Sequence, residues 1–203
     1  MGAATPDAGT NVDGRSARSD RTHSALLEAM LALLDEGDLK PTAAAIAARA
    51  GVSERTLFQH FPDREALFQG AALAQAERIG ALVEELPGPE TPVAERVRAF
   101  VAQRALMLER VSTVRRAALQ MEPWSETVAS WLRATRSGAA AEIEHVFSPE
   151  LDGRRAAERA ELLAALVAAA AWPTWESLRA HQGLPEARAE AAMRRMVGAL
   201  LVP

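Results

Sequence analysis

Residues Thr42 to Phe61 read TAAAIAARAGVSERTLFQHF. Thr42 follows Pro41 and is a residue type that caps helix N-termini, so the alanine-rich run after it predicts a helix to about Arg49. Ile46, Ala47 and Ala50 fall on its inward side, where the small alanines let a second helix cross closely. Gly51 lies where the chain must reverse over about three residues, a bend that favours the positive φ glycine adopts without cost. Ser53 can cap a second helix, and Leu57, Phe58 and Phe61 recur at helical spacing and give it one buried side. Its other side presents Glu54, Arg55, Thr56, Gln59 and His60. These side chains have the length and hydrogen-bonding groups to reach base edges and phosphates in a major groove, near a helix N-terminus whose free N–H groups favour phosphate. The same periodicity describes a solvated face on an ordinary helical hairpin, so spacing alone leaves both readings open.

A longer stretch narrows the choice. From His23 to Phe68, with LLEAMLALLDEGDLKPTAAAIAARAGVSERTLFQHFPDREALF inside it, the chain resembles the N-terminal domain of TetR-family transcriptional regulators. The likeness runs in order through an apolar first helix, Gly37 at its end, Thr42, Ile46-Ala47, Ala50-Gly51-Val52-Ser53, Thr56-Leu57, Phe61, and an acidic cap before Arg64-Glu65-Ala66-Leu67. Two departures stand out. Phe58 occupies the position where the family usually has a tyrosine; it can still touch a thymine methyl but cannot donate to phosphate. Ala43, Ala44 and Ala45 open the helix that in some relatives adds base contacts. The resemblance therefore implies base reading by Glu54, Arg55, Thr56 and Gln59 beside the Ser53 cap. It also implies phosphate contacts from Thr42, His60 and Arg64, where arginine replaces the usual lysine and adds a bidentate fork.

The 203 residues are 49% apolar, with alanine, leucine, arginine and glutamate dominant. That length and apolar share fit one or two folded domains, and the lack of period-two alternation predicts an all-α chain. The net charge of −4 argues against indiscriminate coating of nucleic acid. Between Arg15 and Glu65, seven basic residues face eight acidic ones, so any attraction for DNA depends on placement. Cysteine is absent, which excludes disulfides and thiolate metal sites. No signal peptide is visible, and the longest uncharged run, Leu162 to Trp175, is 14 residues and contains Pro173, short of the ~20 needed to span a bilayer. A cytoplasmic protein without a membrane partner is the expectation.

Taken in order, residues 1–20 are expected to form a disordered tail, in which Arg15, Arg18 and Arg21 are either solvated or an arm near a minor groove. Residues 21–68 would form a three-helix DNA-binding domain, opening with a helix from about Ser19 to Glu36. Residues 69–203 would form a larger helical body for effector binding and dimerisation, making about nine helices in all. A helix from Asp63 to Leu86 would join the two. Helices are then expected at Val93 to Leu108, Val111 to Met121, Pro123 to Phe147, Arg154 to His181 with a kink at Pro173, and from Pro185 onward.

The resemblance implies a regulator that takes a small-molecule effector in this body and acts as a homodimer on a palindromic, double-stranded operator, as a repressor and not an enzyme. Aromatic and flexible side chains there, Phe100, Met107, Met121, Trp124, Trp131, Phe147, Trp172 and Trp175, suggest an apolar, neutral effector with Arg104, Glu122 and His145 as polar anchors. The tryptophans equally suit core or dimer interface; Trp124, Val128 and Trp131 would share one helical face. Apolar stripes at Leu162, Leu163, Leu166 and Val167 and at Met193, Met196, Val197 and Leu200 suggest a two-fold, four-helix interface. Two other classes remain: a DNA-binding architectural or partner-binding protein without effector, and a helical-bundle metal enzyme. Glu142 and His145 have the Glu-x-x-His spacing of the second class, but no other histidine repeats it. No His-Glu-x-x-His, Gly-rich phosphate loop or Gly-x-Ser-x-Gly is present, and no cofactor is expected.

Overall fold

The structure, a computed structural model, describes residues 9–201. Among them there is no strand. The helices are α1 Gly9–Asp35, α2 Ala43–Ala50, α3 Glu54–His60, α4 Arg64–Gly80, α5 Val93–Met121, α6 Glu126–Val146, α7 Ser148–Leu151, α8 Ala156–Ala169, α9 Trp172–Glu176 and α10 Glu186–Leu201, with a π-helical turn at Ser177–His181. The all-α expectation holds, with ten α-helices among the described residues where about nine were expected.

The chain divides into two compact units, Met1–Ala76 and Glu77–Pro203, so the boundary falls inside α4 rather than at residue 68. In the first unit Leu26, Leu34, Ile46, Leu57, Leu67 and Phe68 are fully buried, and together they clamp α1 to α4 around one small core. Each such side chain contributes roughly 1.5–3 kcal/mol of burial free energy. Gly70 permits the close approach of α4: a Cβ there would stand 2.9 Å from Leu27 Cδ2 and 3.2 Å from Phe61 Cε1. The second unit is built on α5, which lays Val97, Phe100, Val101, Ala105 and Leu108 against Phe147, Leu166, Trp175, Met193 and Val197. Phe100 and Phe147 meet edge to face at 5.3 Å between ring centroids.

Several expected boundaries are corrected. Residues 9–20, placed in a disordered tail by composition, belong to α1. Their side chains from Ser16 to Arg21 are exposed, and local bonds such as Arg21 Nε to the Ala17 carbonyl (3.1 Å) replace a core. Arg18 and Arg21 therefore ride on a helix instead of an extended arm; residues 1–8 and the Arg15 side chain lie outside the described residues. The helix expected from Asp63 to Leu86 stops at Gly80, because glycine weakens it and the Glu84 N–H is taken by Gln103 Oε1 at 2.9 Å. At 17 residues it spans about 26 Å at 1.5 Å per residue. The two helices expected from Val93 to Met121 are one, since neither Gly nor Pro interrupts them. The helix expected from Pro123 begins after Ser125, whose Oγ accepts the Val128 N–H at 3.0 Å. α6 ends at Val146, next to the expected Phe147, and Ser148 and Pro149 start the short α7. The kinked helix expected from Arg154 to His181 is broken outright: Pro173 sits in the first turn of α9, the position where its missing N–H costs nothing.

Candidate DNA-reading face and helical body

The turn between α2 and α3 is built from both sides. Thr42 Oγ1 accepts the Ala45 N–H at 3.1 Å and starts α2. Gly51 ends it in the left-handed region, φ 70° and ψ 29°, and the Val52 N–H then bonds the Ala47 carbonyl at 2.9 Å. Ser53 Oγ accepts the Thr56 N–H at 3.1 Å and lies 2.9 Å from Thr56 Oγ1, fixing the first turn of α3. Leu57 is the buried anchor of that helix.

This frame brings most of the expected reading residues to one surface. Glu54, Arg55, Phe58 and Gln59 are exposed on α3, while Thr56 and His60 are half-buried. Phe58, which periodicity put on the inward side with Leu57 and Phe61, is 47% exposed; the core is closed by Leu57 and Phe61 without it. Thr42 and Arg64 are exposed at the starts of α2 and α4, and Asp63 Oδ1 caps α4 by accepting the Ala66 N–H at 2.8 Å. His60 has a ring neighbour: His23 lies 6.1 Å away, centroid to centroid, and itself stacks on Phe61 at 4.6 Å. Arg49 is engaged elsewhere, its guanidinium forked onto Glu36 at 2.8 and 2.6 Å, which holds the Glu36 carboxyl below the usual carboxylate range. Arg55 and Arg64 make no hydrogen bond or ion pair among the described residues.

In the body the expected effector residues do not converge on one place. Phe100, Phe147 and Trp175 are core, and Trp175 Nε1 donates to Glu109 Oε2 at 3.0 Å. Trp172 is half-buried and donates to Ser112 Oγ at 3.0 Å. Met107, Met121 and Trp131 are half-buried, and His145 is exposed. Trp124 is 88% exposed on the turn between α5 and α6; Pro123 cannot continue α5 and Ser125 caps the next helix, so Trp124 does not share a helical face with Val128 and Trp131. Of the polar anchors, Arg104 pairs with Glu142 and its cation lies 5.1 Å from the Phe100 centroid, and Glu122 pairs with Arg136 at 3.0 Å. Glu142 is thus engaged by an arginine instead of forming a metal-type pair with His145. Among the described residues no three His, Asp or Glu gather as a metal site, and no helix is long and apolar enough to cross a membrane.

Composition and spacing missed the polar interior of α5. Arg96, 2% exposed, donates to the Thr91 and Val146 carbonyls at 2.9 and 2.7 Å and pairs with Glu150. Arg115 is buried as well. The available signal was positional: Arg104, Leu108, Ser112 and Arg115 fall on one helical face, which the apolar stripe hides from a reading by hydrophobic residues alone.

A capped helix displaying unpaired polar side chains beyond a three-residue glycine turn defines a helix-turn-helix DNA-binding unit. Residues 26–71 match the model of the family described as bacterial regulatory proteins, tetR family. Over those residues, about a quarter of the chain, the N-terminal unit is similar to TetR-family regulators. No curated protein matches the chain in sequence. Its fold is similar to that of a crystal structure of a transcriptional regulator from Rhodococcus sp. Rha1, with a TM-score of 0.66 and 20% identity over 91% of this chain and 99% of that one.

Proposed function

We propose that the chain is a ligand-responsive repressor that binds an inverted-repeat operator as a homodimer. The observation that carries the reading is the free row on α3: Arg55 and Gln59 exposed and unengaged, with Ser53 holding the helix start. Arg55 is the one side chain there that can donate two hydrogen bonds to guanine O6 and N7, while Glu54 can only accept, for instance from cytosine N4. Thr42, His60 and Arg64 surround that row and hold phosphate.

The dimer reading is supported by a second surface. Leu162, Leu163 and Val167 on α8 and Ala192, Met196 and Leu200 on α10 lie against the body's core yet remain partly exposed. Leu166, Met193 and Val197, which were expected in the same stripes, are buried inside the chain itself. The surface left over joins two copies about a two-fold axis, which matches an inverted repeat. Small molecules bind in the body, and an effector that favours the wrong separation of the two reading helices lowers operator affinity, with DNA lowering effector affinity by the same factor.

Selection of bound sequences from random DNA tests the reading directly: a palindromic consensus is expected, and recovery without sequence preference would overturn it in favour of an architectural DNA binder. Light scattering after size exclusion at micromolar concentration checks the dimer, and a monomer would remove it.

A further inference from the structure

Five polar or charged side chains are buried among the described residues: Arg96, Arg104, Ser112, Arg115 and Ser125. Four have partners. Arg96 is held by Glu150 and two carbonyls, and Arg104 pairs with Glu142 although its Nε stays unbonded. Ser112 Oγ donates to the Leu108 carbonyl at 2.7 Å and accepts from Trp172, and Ser125 caps α6. Arg115 differs. It is 7% exposed, its Nε is shut off from solvent without an acceptor, and among the described residues it makes no hydrogen bond or ion pair.

An arginine cannot shed its proton to escape this position, and a cation removed from water is costly unless something negative meets it. The charged groups that act on Arg115 are two. Arg136 repels it, and Glu122 attracts it, but Glu122 is already clasped by both terminal nitrogens of Arg136 at 3.0 Å. Burial first, and Arg136 second, push the Arg115 pKa below its ordinary value. Two guanidinium groups thus share one carboxylate, which leaves one net positive charge between α5 and α6. One turn earlier on α5, Ser112 ties down the half-buried indole of Trp172, so aromatic surface meets α5 one turn from the unmatched cation.

We propose that the body binds an organic monocarboxylate, with its two oxygens on the Arg115 guanidinium and its carbon skeleton on the apolar surface beside Trp172. The planar fork of arginine matches two carboxylate oxygens, and a single negative charge balances the single excess positive one. A phosphate monoester would bring a second charge with nothing to meet it. The assignment rests on the ligand-responsive reading above and changes its chemistry, since the aromatic lining by itself suggested a neutral effector.

The test uses the full chain and matched probes: naphthoate and decanoate against naphthamide and decanamide, followed by calorimetry and tryptophan fluorescence. Each carboxylate is expected to bind at least about tenfold more tightly than its amide, a difference of about 1.4 kcal/mol. Arg115→Met should abolish that preference, Arg115→Lys should keep part of it, and ligand-free Arg115→Met should melt no lower than wild type because an unmatched buried charge has gone. The proposal is overturned if acids and amides bind alike, if no acid binds at millimolar concentration, or if the preference survives in Arg115→Met. Should Arg115→Met not fold, the acid-to-amide ratio in wild type and Arg115→Lys decides, and an equal ratio in both overturns it. Operator binding separates this proposal from the reading it rests on. Acids that bind through Arg115 yet leave operator affinity unchanged uphold the anion site and remove its effector role. Amides that release the operator where acids do not uphold the sensor and overturn the anion site.

Discussion

In the N-terminal unit Arg55 and Arg64 stand in solvent with no carboxylate on them, whereas in the body Arg96, Arg104, Arg116 and Arg179 are each clasped by a glutamate. The two regions use the same side chain for opposite ends. In the body the guanidinium fork is a fastener: Arg179 reaches Glu109 from the π-helical turn at 2.9 and 2.5 Å, and Arg116 reaches Glu176 of α9 at 2.8 Å. On the reading face nothing competes for it, so its donors stay free for an external acceptor. Charge counting cannot see this. Seven basic against eight acidic residues look neutral, yet Arg49 is neutralised by Glu36 on the unit's own surface while Arg55 is not.

If the contrast is right, the largest effect comes from the body. Arg96→Ala leaves Glu150 and the Val146 carbonyl without their donor and opens a cavity, and should cost about 3–5 kcal/mol of folding stability in urea unfolding. Arg55→Ala should behave in reverse, changing folding by no more than about 0.5 kcal/mol while costing roughly 1–3 kcal/mol at the preferred operator and relaxing one base pair per half-site. A stability loss in Arg55→Ala comparable to that in Arg96→Ala would erase the distinction between the regions.

A smaller effect separates two kinds of free arginine within the reading unit. Arg64→Ala should weaken binding to all sequences alike and lower the slope of log affinity against log salt by about 1 for each phosphate that is no longer neutralised, leaving base preference intact. Indistinguishable behaviour of Arg55→Ala and Arg64→Ala across a panel of operator variants would reject that division.

The smallest effect sharpens the picture of the body. Hydrogen bonding from Arg179, opposed by burial and aided by Trp175, holds the Glu109 carboxyl below its ordinary value of 4.5. Because the folded state favours the charged form, the contribution of Glu109 to stability is fully present above that value and is lost as the pH falls through its lower folded value. The stabilities of wild type and Glu109→Gln should therefore begin to converge as the pH falls below about 4.5 and meet only below the lower folded value. A gap that stays constant with pH would mean that the carboxylate's charge contributes nothing to the fastening of α9 and the turn after it.

How much of this was legible depended on range. The helix-turn-helix is specified by neighbours in the chain: Thr42 and Ser53 each cap a helix through an N–H three residues on, and Gly51 supplies a backbone conformation whose need is local. Such features follow from residue type and spacing, so the all-α class, the three-residue turn and the exposure of Arg55 and Gln59 could be derived from residue order alone. Phe58 marks the limit, because period alone gives an arc of a helix and cannot say where the core ends.

The body was harder for the same reason inverted. The end of α4 at Gly80 turns on competition between a local preference and a distant partner, since Gln103 takes the Glu84 N–H. The sequence by itself determined the reading head, since caps and glycine act within one turn of the residue that carries them. Only the tertiary structure decided which arginines are neutralised. Arg96 finds Glu150, Arg104 finds Glu142 and Arg179 finds Glu109 across 54, 38 and 70 positions, while Arg115 finds none. Electrostatic energy depends on separation in space and on exclusion of water, and neither is written in the order of residues along the chain.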